Sequence, residues 1–301
     1  MENHQNLPLG IGTAIEFRTY EVPAELGIAM PPQAAACVLN ITEEQFLSYV
    51  GSLAAKVDQD ARKLLAESDI RAAIDRLPLR PGNMVMAIGD SVTTYRHSYV
   101  ELLRAMVALR RSDDAIQFVN HAQSGYTSTH ARRGTYLQYI KERPDLVLIA
   151  LGGNDCERFG GSEAPTLVSP DEYRRNMDAI LRAFRDNTSA QLVLLTPVPV
   201  MESMLKRVAD FAKSQLTWRN QDLQVCADIL GELAVRYGLP LVNLMGAFGV
   251  DLPSSLYLSD GLHPGPLGQQ VILRQLLNVI SMKLNDEAGV LGRGETRRVT
   301  S

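Results

Sequence analysis

The stretch Val85-Met86-Ala87-Ile88-Gly89-Asp90-Ser91 is a short apolar run that ends at a Gly-Asp-Ser turn. Apolar residues followed by glycine and a small nucleophile are typical of a buried strand that delivers a hydroxyl group to the edge of a sheet. A serine nucleophile needs an imidazole to accept its proton, a carboxylate to orient the imidazole, and donors for an oxyanion. We therefore expect the rest of the chain to supply these groups.

Downstream of this stretch, apolar strands alternate with helical segments, which predicts an α/β fold with a parallel sheet and crossover helices. The predicted strands are residues 83–89, 115–119, 145–151, 191–196 and 240–244. The predicted helices are residues 95–110, 131–142, 170–186, 201–237 and 266–284. Ligands of open parallel sheets bind beyond the carboxyl ends of the strands. Polar residues that follow the strands are therefore expected to converge on one edge.

The candidate base and its orienting carboxylate lie far from Ser91 in the sequence, in Asp260-Gly261-Leu262-His263. Because the two residues are three positions apart, Asp260 can hold the Nδ1 proton of His263 and leave Nε2 free to accept a proton from a serine. Each group also has a structural interpretation. Ser91 can simply cap the following helix, and Asp-x-x-His is a common spacing that also suits a solvated loop.

Candidate oxyanion donors follow two other predicted strands. Gly152-Gly153-Asn154-Asp155 ends the third strand, where glycine lets the backbone approach a ligand and Asn154 offers an uncharged amide donor. Gly125 follows the second strand and can present its backbone N–H group. Each segment alone also fits an ordinary turn. Their occurrence together with Ser91 and His263 favours one active site over coincidence.

Supporting roles are predicted for Asp90, Gly153 and Asp155. Asp90 is expected to fix the turn by hydrogen bonds to nearby N–H groups rather than to transfer protons. No metal site is predicted, because three of the other histidines do not have the spacing of ligands on one helix face. These histidines are His97, His121 and His130.

Together, these segments resemble the four sequence blocks of the SGNH hydrolases, also called the GDSL esterase/lipase family. The resemblance spans about residues 83–284. It implies a flavodoxin-like three-layer α/β/α sandwich with a mostly five-stranded parallel sheet, and neither a metal nor an organic cofactor. Two positions depart from the family pattern without removing a donor: Val92 replaces a leucine, and Ala122 stands where many members have glycine.

The resemblance also implies a role for each matching residue. Ser91 is the implied nucleophile, and Asp260 and His263 complete its catalytic triad. The implied oxyanion hole consists of the N–H groups of Ser91 and Gly125 with the side-chain amide of Asn154.

Composition excludes some classes of protein and partner. The chain has 301 residues, 46% of them hydrophobic and 21% charged, with a net charge of −4 and no local run of basic residues, which argues against nucleic-acid binding. Three widely spaced cysteines without a Cys-x-x-Cys pair suggest neither a disulfide framework nor a zinc site. Without a signal-like N-terminus or a long apolar run, we expect no membrane span and a cytoplasmic location.

The sequence predicts three regions. Residues 1–80 form an N-terminal extension, extended or irregular to about residue 40 and then helical in one or two helices from a capping box at Thr42 to Leu77. Residues 83–285 form the hydrolase domain, and residues 286–301 are expected to be a disordered tail. The extension can be a lid, a binding module or an arm through which residues 1–80 form a homo-oligomer.

The predicted function is a serine esterase that hydrolyses a small-molecule carboxylic ester with a short-chain acyl or acetyl group through an acyl-enzyme intermediate, and an acylated carbohydrate is one candidate substrate. One alternative is an acyltransferase that moves the acyl group to an alcohol or sugar. The other is a non-catalytic binding protein on the same fold. The presence of Ser91, Asn154, Asp260 and His263 argues against that last alternative.

Overall fold

The protein is built around a parallel sheet of five strands. The structure is a computed structural model that describes residues 7, 10–21, 30–249 and 253–291, with the backbone alone for 209–210 and 282–291. The strands are β1 Met84–Gly89, β2 Gln117–Asn120, β3 Leu146–Ala150, β4 Gln191–Leu195 and β5 Leu241–Val242. Their order is β2-β1-β3-β4-β5, and every neighbouring pair is parallel. All five predicted strands are therefore confirmed, with ends that differ by at most two residues.

Strand β1 is buried on both faces because helices cover both sides of the sheet. Val85 and Ala87 face one hydrophobic cluster, and Met86 and Ile88 face the other. All four side chains are at most 1% exposed. The alternation follows from the two-residue repeat of a strand, and it explains why the stretch reads as a continuous apolar run.

The helices that follow the strands form the two outer layers. Helices of the described chain are α1 Ile11–Glu16, α2 Pro32–Val38, α3 Glu43–Ala66, α4 Ser68–Asp75, α5 Ser91–Thr94, α6 Tyr99–Arg110, α7 Ser128–Leu137, α8 Pro170–Asn187, α9 Glu202–Leu205, α10 Ala209–Ser214, α11 Asn220–Tyr237, α12 Leu244–Phe248 and α13 Pro266–Leu291. Residues of α3, α4, α6 and α13 pack with Val85 and Ala87. Residues of α7, α8 and α11 pack with Met86 and Ile88. This arrangement confirms the predicted three-layer sandwich.

The single helix predicted over residues 201–237 is wrong, because the structure divides this range into α9, α10 and α11. Helix α10 ends where Gln215 adopts a left-handed conformation with φ of 50°. Thr217 then forms an antiparallel bridge with Arg158, and Trp218 is buried. These contacts are distant in sequence, so helical periodicity alone does not reveal the break.

The N-terminal extension is more helical than its prolines suggest. The expectation of extended or irregular structure to residue 40 is wrong for α1 and α2. Gly10, with φ of 83°, supplies the left-handed residue before α1, and Pro32 occupies the first position of α2, where its missing N–H is tolerated. The capping box at Thr42 is confirmed. The helical pattern forms two helices, α3 and α4, and the second ends before Leu77. Predictions for residues 1–6, 8–9 and 22–29 lie outside the described residues.

The disordered tail at residues 286–301 stays a prediction. Helix α13 continues to Leu291, because Gly289 lowers helix propensity by only about 1 kcal/mol and no proline interrupts the run. Residues 292–301 lie outside the described part of the chain.

Candidate active site

Ser91 lies where β1 passes directly into α5. Asp90 caps this helix, with its Oδ1 atom accepting a hydrogen bond of 3.0 Å from the N–H of Val92. Gly89 is required by close approach, since a Cβ atom there would lie 2.4 Å from Oγ1 of Thr93. Burial raises the pKa of Asp90 to about 6, although the Val92 hydrogen bond opposes the shift. Asp90 therefore fixes the turn, as predicted from the sequence.

His263 lies beside Ser91 although 172 residues separate them in the chain. The distance from Nε2 of His263 to Oγ of Ser91 is 2.9 Å, and the distance from Nδ1 to Oδ2 of Asp260 is 2.6 Å. Oδ1 of Asp260 accepts the backbone N–H groups of Leu262 and His263 at 2.9 and 3.0 Å. The hydroxyl, imidazole and carboxylate thus form one continuous chain of contacts.

The surroundings of Asp260 favour its charged form. Burial acts to raise the pKa of this carboxyl, but the hydrogen bond and charge of His263 and the two backbone N–H groups outweigh it. The net effect is a pKa below the ordinary value for an aspartate. A charged Asp260 can hold a proton on Nδ1 of His263 and leave Nε2 as an acceptor.

Asn154 lies in the turn after β3 and faces the same space as Ser91. Its side-chain amide donates one hydrogen bond, of 3.0 Å, to the carbonyl oxygen of Tyr126. An amide nitrogen carries two hydrogens, so a second remains for a ligand. The turn is held from behind by Trp218, whose Nε1 donates to the carbonyl of Gly153 at 3.1 Å. Asn154 is therefore a fixed, uncharged donor.

Ser91, Asn154 and His263 border a common cavity of about 40 Å³. A volume of this size holds a few water-sized groups. Its inner wall is mostly apolar and includes Leu151, Pro197, Val198, Val200, Trp218 and Leu262. The cavity suits a small apolar group bonded to a polar centre beside Ser91.

Gly125 is held near this site but does not border the cavity. It has φ of 82°, a conformation that favours glycine. The loop that carries it is fixed to β1, because the N–H of Gln123 donates to the carbonyl of Gly89 at 3.2 Å. The next residue, Tyr126, accepts the hydrogen bond from Asn154. The role of the Gly125 N–H as an oxyanion donor stays a prediction.

Asp155 supports the site from within the protein. It is fully buried, and its carboxylate accepts the backbone N–H of Ser128 at 3.0 and 3.1 Å and also the Ser128 hydroxyl. Burial raises the pKa of Asp155 to about 6 despite these hydrogen bonds. The residue therefore ties the Asn154 turn to the start of α7 and lies apart from the imidazole.

Two side chains at the site were not identified from the sequence. Trp218 was placed inside a predicted helix, although its being the single tryptophan of the chain was an available signal. Phe17 was placed in an irregular segment, yet its ring centroid lies 4.5 Å from that of His263. No local pattern links Phe17 to a histidine 246 positions later, so only the tertiary structure identifies it.

The described residues also bear on metal binding and on membrane association. Across the ranges given above, no group of three or more His, Cys, Asp or Glu side chains is arranged to hold a metal ion. No helix within the same ranges has the length and apolar character needed to cross a membrane.

The fold and the contacts at Ser91 define an α/β protein of the SGNH type, with polar groups gathered at the carboxyl edge of a parallel sheet. The sequence model of the GDSL-like lipase/acylhydrolase family matches residues 87–271, and the chain belongs to this family. This membership confirms the resemblance drawn from the four sequence blocks and the class of enzyme, a carboxylic ester hydrolase.

Curated relatives are similar over most of their length. The isoamyl acetate-hydrolyzing esterase 1 homolog of Rattus norvegicus is 27% identical over 215 residues, covering 67% of this chain and 82% of the relative. The homolog of Bos taurus is 28% identical over 217 residues with the same coverage. The GDSL esterase/lipase WDL1 of Oryza sativa subsp. japonica is 24% identical and covers 52% of this chain and 63% of the relative.

Solved structures share the fold. LAE5, an alpha/beta hydrolase enzyme from the metagenome of Lake Arreo, Spain, has a TM-score of 0.52 and 23% identity, covering 67% of this chain and 96% of its own. A catalytic variant of Axe2, an acetylxylan esterase from Geobacillus stearothermophilus, has a TM-score of 0.52 and 19% identity, covering 68% and 97%.

Proposed function

We propose that the protein is a serine esterase that hydrolyses small esters with short acyl groups, with Ser91 as nucleophile. The observation that carries the proposal is the chain of contacts from Ser91 through His263 to Asp260, with distances of 2.9 and 2.6 Å. This arrangement has the form of a Ser-His-Asp triad. The family supports the class of reaction, and these contacts support the proposed roles of the three residues.

In the proposed mechanism, Nε2 of His263 accepts the proton of Ser91 Oγ as the oxygen attacks the ester carbonyl carbon. The protonated imidazole then donates that proton to the departing alkoxide, and Asp260 stabilises the imidazolium charge. Water attacks the resulting acyl-enzyme with His263 again as base. The acid is released, and Ser91 regains its proton.

The charge that develops on the carbonyl oxygen requires fixed donors. We assign this role to the second hydrogen of the Asn154 amide and to the N–H groups of Ser91 and Gly125. Ser91 is the first residue of α5, so its N–H has no partner within the helix. The Asn154 amide is already oriented by Tyr126, which limits the reorganisation needed during the reaction.

The size of the cavity supports a short acyl group. A cavity of about 40 Å³ beside Ser91 matches an acetyl or similarly small group. The names of the similar proteins agree with this size: several are homologs of an isoamyl acetate-hydrolyzing esterase, and one structural neighbour is an acetylxylan esterase.

The test is hydrolysis of p-nitrophenyl acetate, butyrate, octanoate and palmitate by the wild type, Ser91→Ala and Ser48→Ala. We expect cleavage of the acetate and butyrate, with kcat lower by at least about 10³-fold in Ser91→Ala, because this variant lacks the nucleophile. Ser48 is an exposed serine on α3 and serves as the matched control, with unchanged activity.

Two results would contradict the proposal. Undiminished hydrolysis by Ser91→Ala would assign the reaction to another group. Preference for palmitate would contradict the assignment of the small cavity as the acyl pocket. Circular dichroism spectra of the three proteins check that loss of activity is not loss of fold.

A further inference from the structure

Phe17 is a buried residue of the N-terminal extension whose ring packs against the active site. The side chain is 5% exposed. Its ring lies between Tyr95, stacked at a centroid distance of 4.9 Å, and His263, tilted at 4.5 Å. Phe17 belongs to none of the hydrophobic clusters formed by the described residues. Its position is therefore explained by its neighbours at the site rather than by the core of the extension.

Hydrogen bonds hold the backbone around Phe17 in place. The backbone N–H and Nε of Arg96 donate to the carbonyls of Glu16 and Ile15, each at 2.9 Å. The hydroxyl of Ser124 donates to the carbonyl of Phe17 at 2.7 Å. Arg96 follows β1 and α5, and Ser124 immediately precedes Gly125. The extension is thus attached to the segment that follows α5, the helix that begins with Ser91, and to the loop of the predicted oxyanion donor Gly125.

The extension has its own packing, which does not use the Phe17 ring. Ile15 is fully buried in a cluster with residues of α2 and α3, including Phe46. The ring of Phe46 meets that of Tyr20 edge to face at 5.7 Å. These contacts and the hydrogen bonds of Arg96 and Ser124 attach the segment to the rest of the protein. The Phe17 ring is therefore not needed for that attachment, and its contacts are with side chains at the active site.

We propose that Phe17 is a positioning residue that holds the imidazole of His263 in its working orientation. This proposal rests on the proposed function. The imidazole must keep both nitrogen contacts, to Asp260 and to Ser91, and rotation about its side-chain bonds breaks both. An aromatic ring against one face blocks that rotation and excludes water, which strengthens the interactions inside the site. It also attracts the imidazolium formed during the reaction.

The residue lies outside the part of the chain that defines the family. The family match begins at residue 87, seventy positions after Phe17. The extension therefore contributes to the catalytic site itself and is not merely attached to the hydrolase domain. Of the alternatives drawn from the sequence for the extension, the position of Phe17 against His263 favours the lid.

The test compares Phe17→Leu with Phe46→Leu in the full-length chain. Both phenylalanines are 5% exposed and both belong to the extension, but only Phe17 contacts His263. With p-nitrophenyl acetate, we expect Phe17→Leu to lower kcat about 10-fold or more, because small misplacements of catalytic groups are costly, while KM changes by less than about threefold. Phe46→Leu should retain the wild-type kcat even where its melting temperature falls.

A second readout separates this proposal from the proposed function. The rate at which a fluorophosphonate labels Ser91 reports the activation of the serine without ester turnover. We expect slower labelling of Phe17→Leu than of the wild type and of Phe46→Leu. Equal kcat and equal labelling rates in the two variants would overturn the positioning role of Phe17, even with an active wild type.

Failure of the esterase proposal gives a different pattern. A wild type that is labelled at Ser91 but cleaves none of the esters contradicts the proposed substrates, and the labelling rates then decide the role of Phe17 alone. A wild type that is neither labelled nor active overturns both proposals, since His263 then activates nothing.

Discussion

The turns that contain Asp260 and Asp155 both place an aspartate near the site, half-buried for Asp260 and fully buried for Asp155, but the two carboxyl groups behave in opposite ways. Asp260 has a pKa below the ordinary value, because His263 and backbone N–H groups outweigh the effect of burial. Burial raises the pKa of Asp155 to about 6, and its hydrogen bonds to Ser128 only partly oppose this effect. The same residue type thus has a lowered pKa in one turn and a raised pKa in the other.

The difference teaches that an orienting carboxylate is defined by the groups that face it. Asp260 lies 2.6 Å from an imidazole that can carry a positive charge. Asp155 faces the backbone N–H and hydroxyl of Ser128, which are neutral. Both residues lie within two positions of a glycine, with Gly153 before Asp155 and Gly261 after Asp260. Only the groups that pack against each carboxyl group distinguish them: those around Asp260 suit the orientation of an imidazole, and those around Asp155 suit the support of a turn.

The largest expected effect is that of Asp260→Asn. An asparagine keeps the shape but favours the wrong tautomer of His263, so kcat for p-nitrophenyl acetate should fall about 10³–10⁴-fold. Asp60→Asn is the matched control, because Asp60 lies 3.2 Å from another buried histidine, His97, outside the site. A comparable loss in both variants would show that the effect is structural.

Asn154→Ala should have a smaller effect, lowering kcat about 10²–10³-fold through loss of an oxyanion donor. KM should change little, because the donor acts mainly on charge that develops in the transition state. Steady-state kinetics with the same ester gives both constants. An unchanged kcat would remove Asn154 from the oxyanion hole and leave its hydrogen bond to Tyr126 as its only role.

The smallest effect concerns stability and tests Asp155 directly. A carboxyl whose pKa is raised by folding adds stability that is present below its unfolded pKa, near 3.8, and is lost as the pH rises through about 6. Relative to Asp155→Asn, the wild type should therefore lose up to about 3 kcal/mol of unfolding free energy between pH 4 and pH 6.5. Urea unfolding at several pH values measures this difference.

For Asp260→Asn, the same experiment should show a stability difference from the wild type that changes with pH in the opposite direction. A carboxyl with a lowered pKa adds stability above its unfolded pKa and loses it as the pH falls through the folded value. The advantage of the wild type over Asp260→Asn should thus shrink toward acid pH. If the two differences vary with pH in the same direction, the contrast between the two carboxyl groups is wrong.

Much of the fold was predictable because its signals are local. The apolar run of β1, the capping box at Thr42 and the Ser169-Pro170 start of α8 appear in the structure where the sequence places them. The predicted helix over 201–237 failed because its breaks depend on Gln215 and on the burial of Trp218 against the turn of Gly153. Such contacts join residues far apart in the chain, so no local pattern reports them.

The sequence by itself determined the class of fold, the family and the residue types gathered at the site, because strand periodicity and the short turns that contain Ser91, Asn154 and His263 are local properties. The tertiary structure alone decided that His263 reaches Ser91 at 2.9 Å and that Phe17 packs against His263. It also decided that the pKa of Asp260 is lowered and that of Asp155 is raised. Distances and electrostatic surroundings depend on how distant segments pack, which the local sequence does not encode.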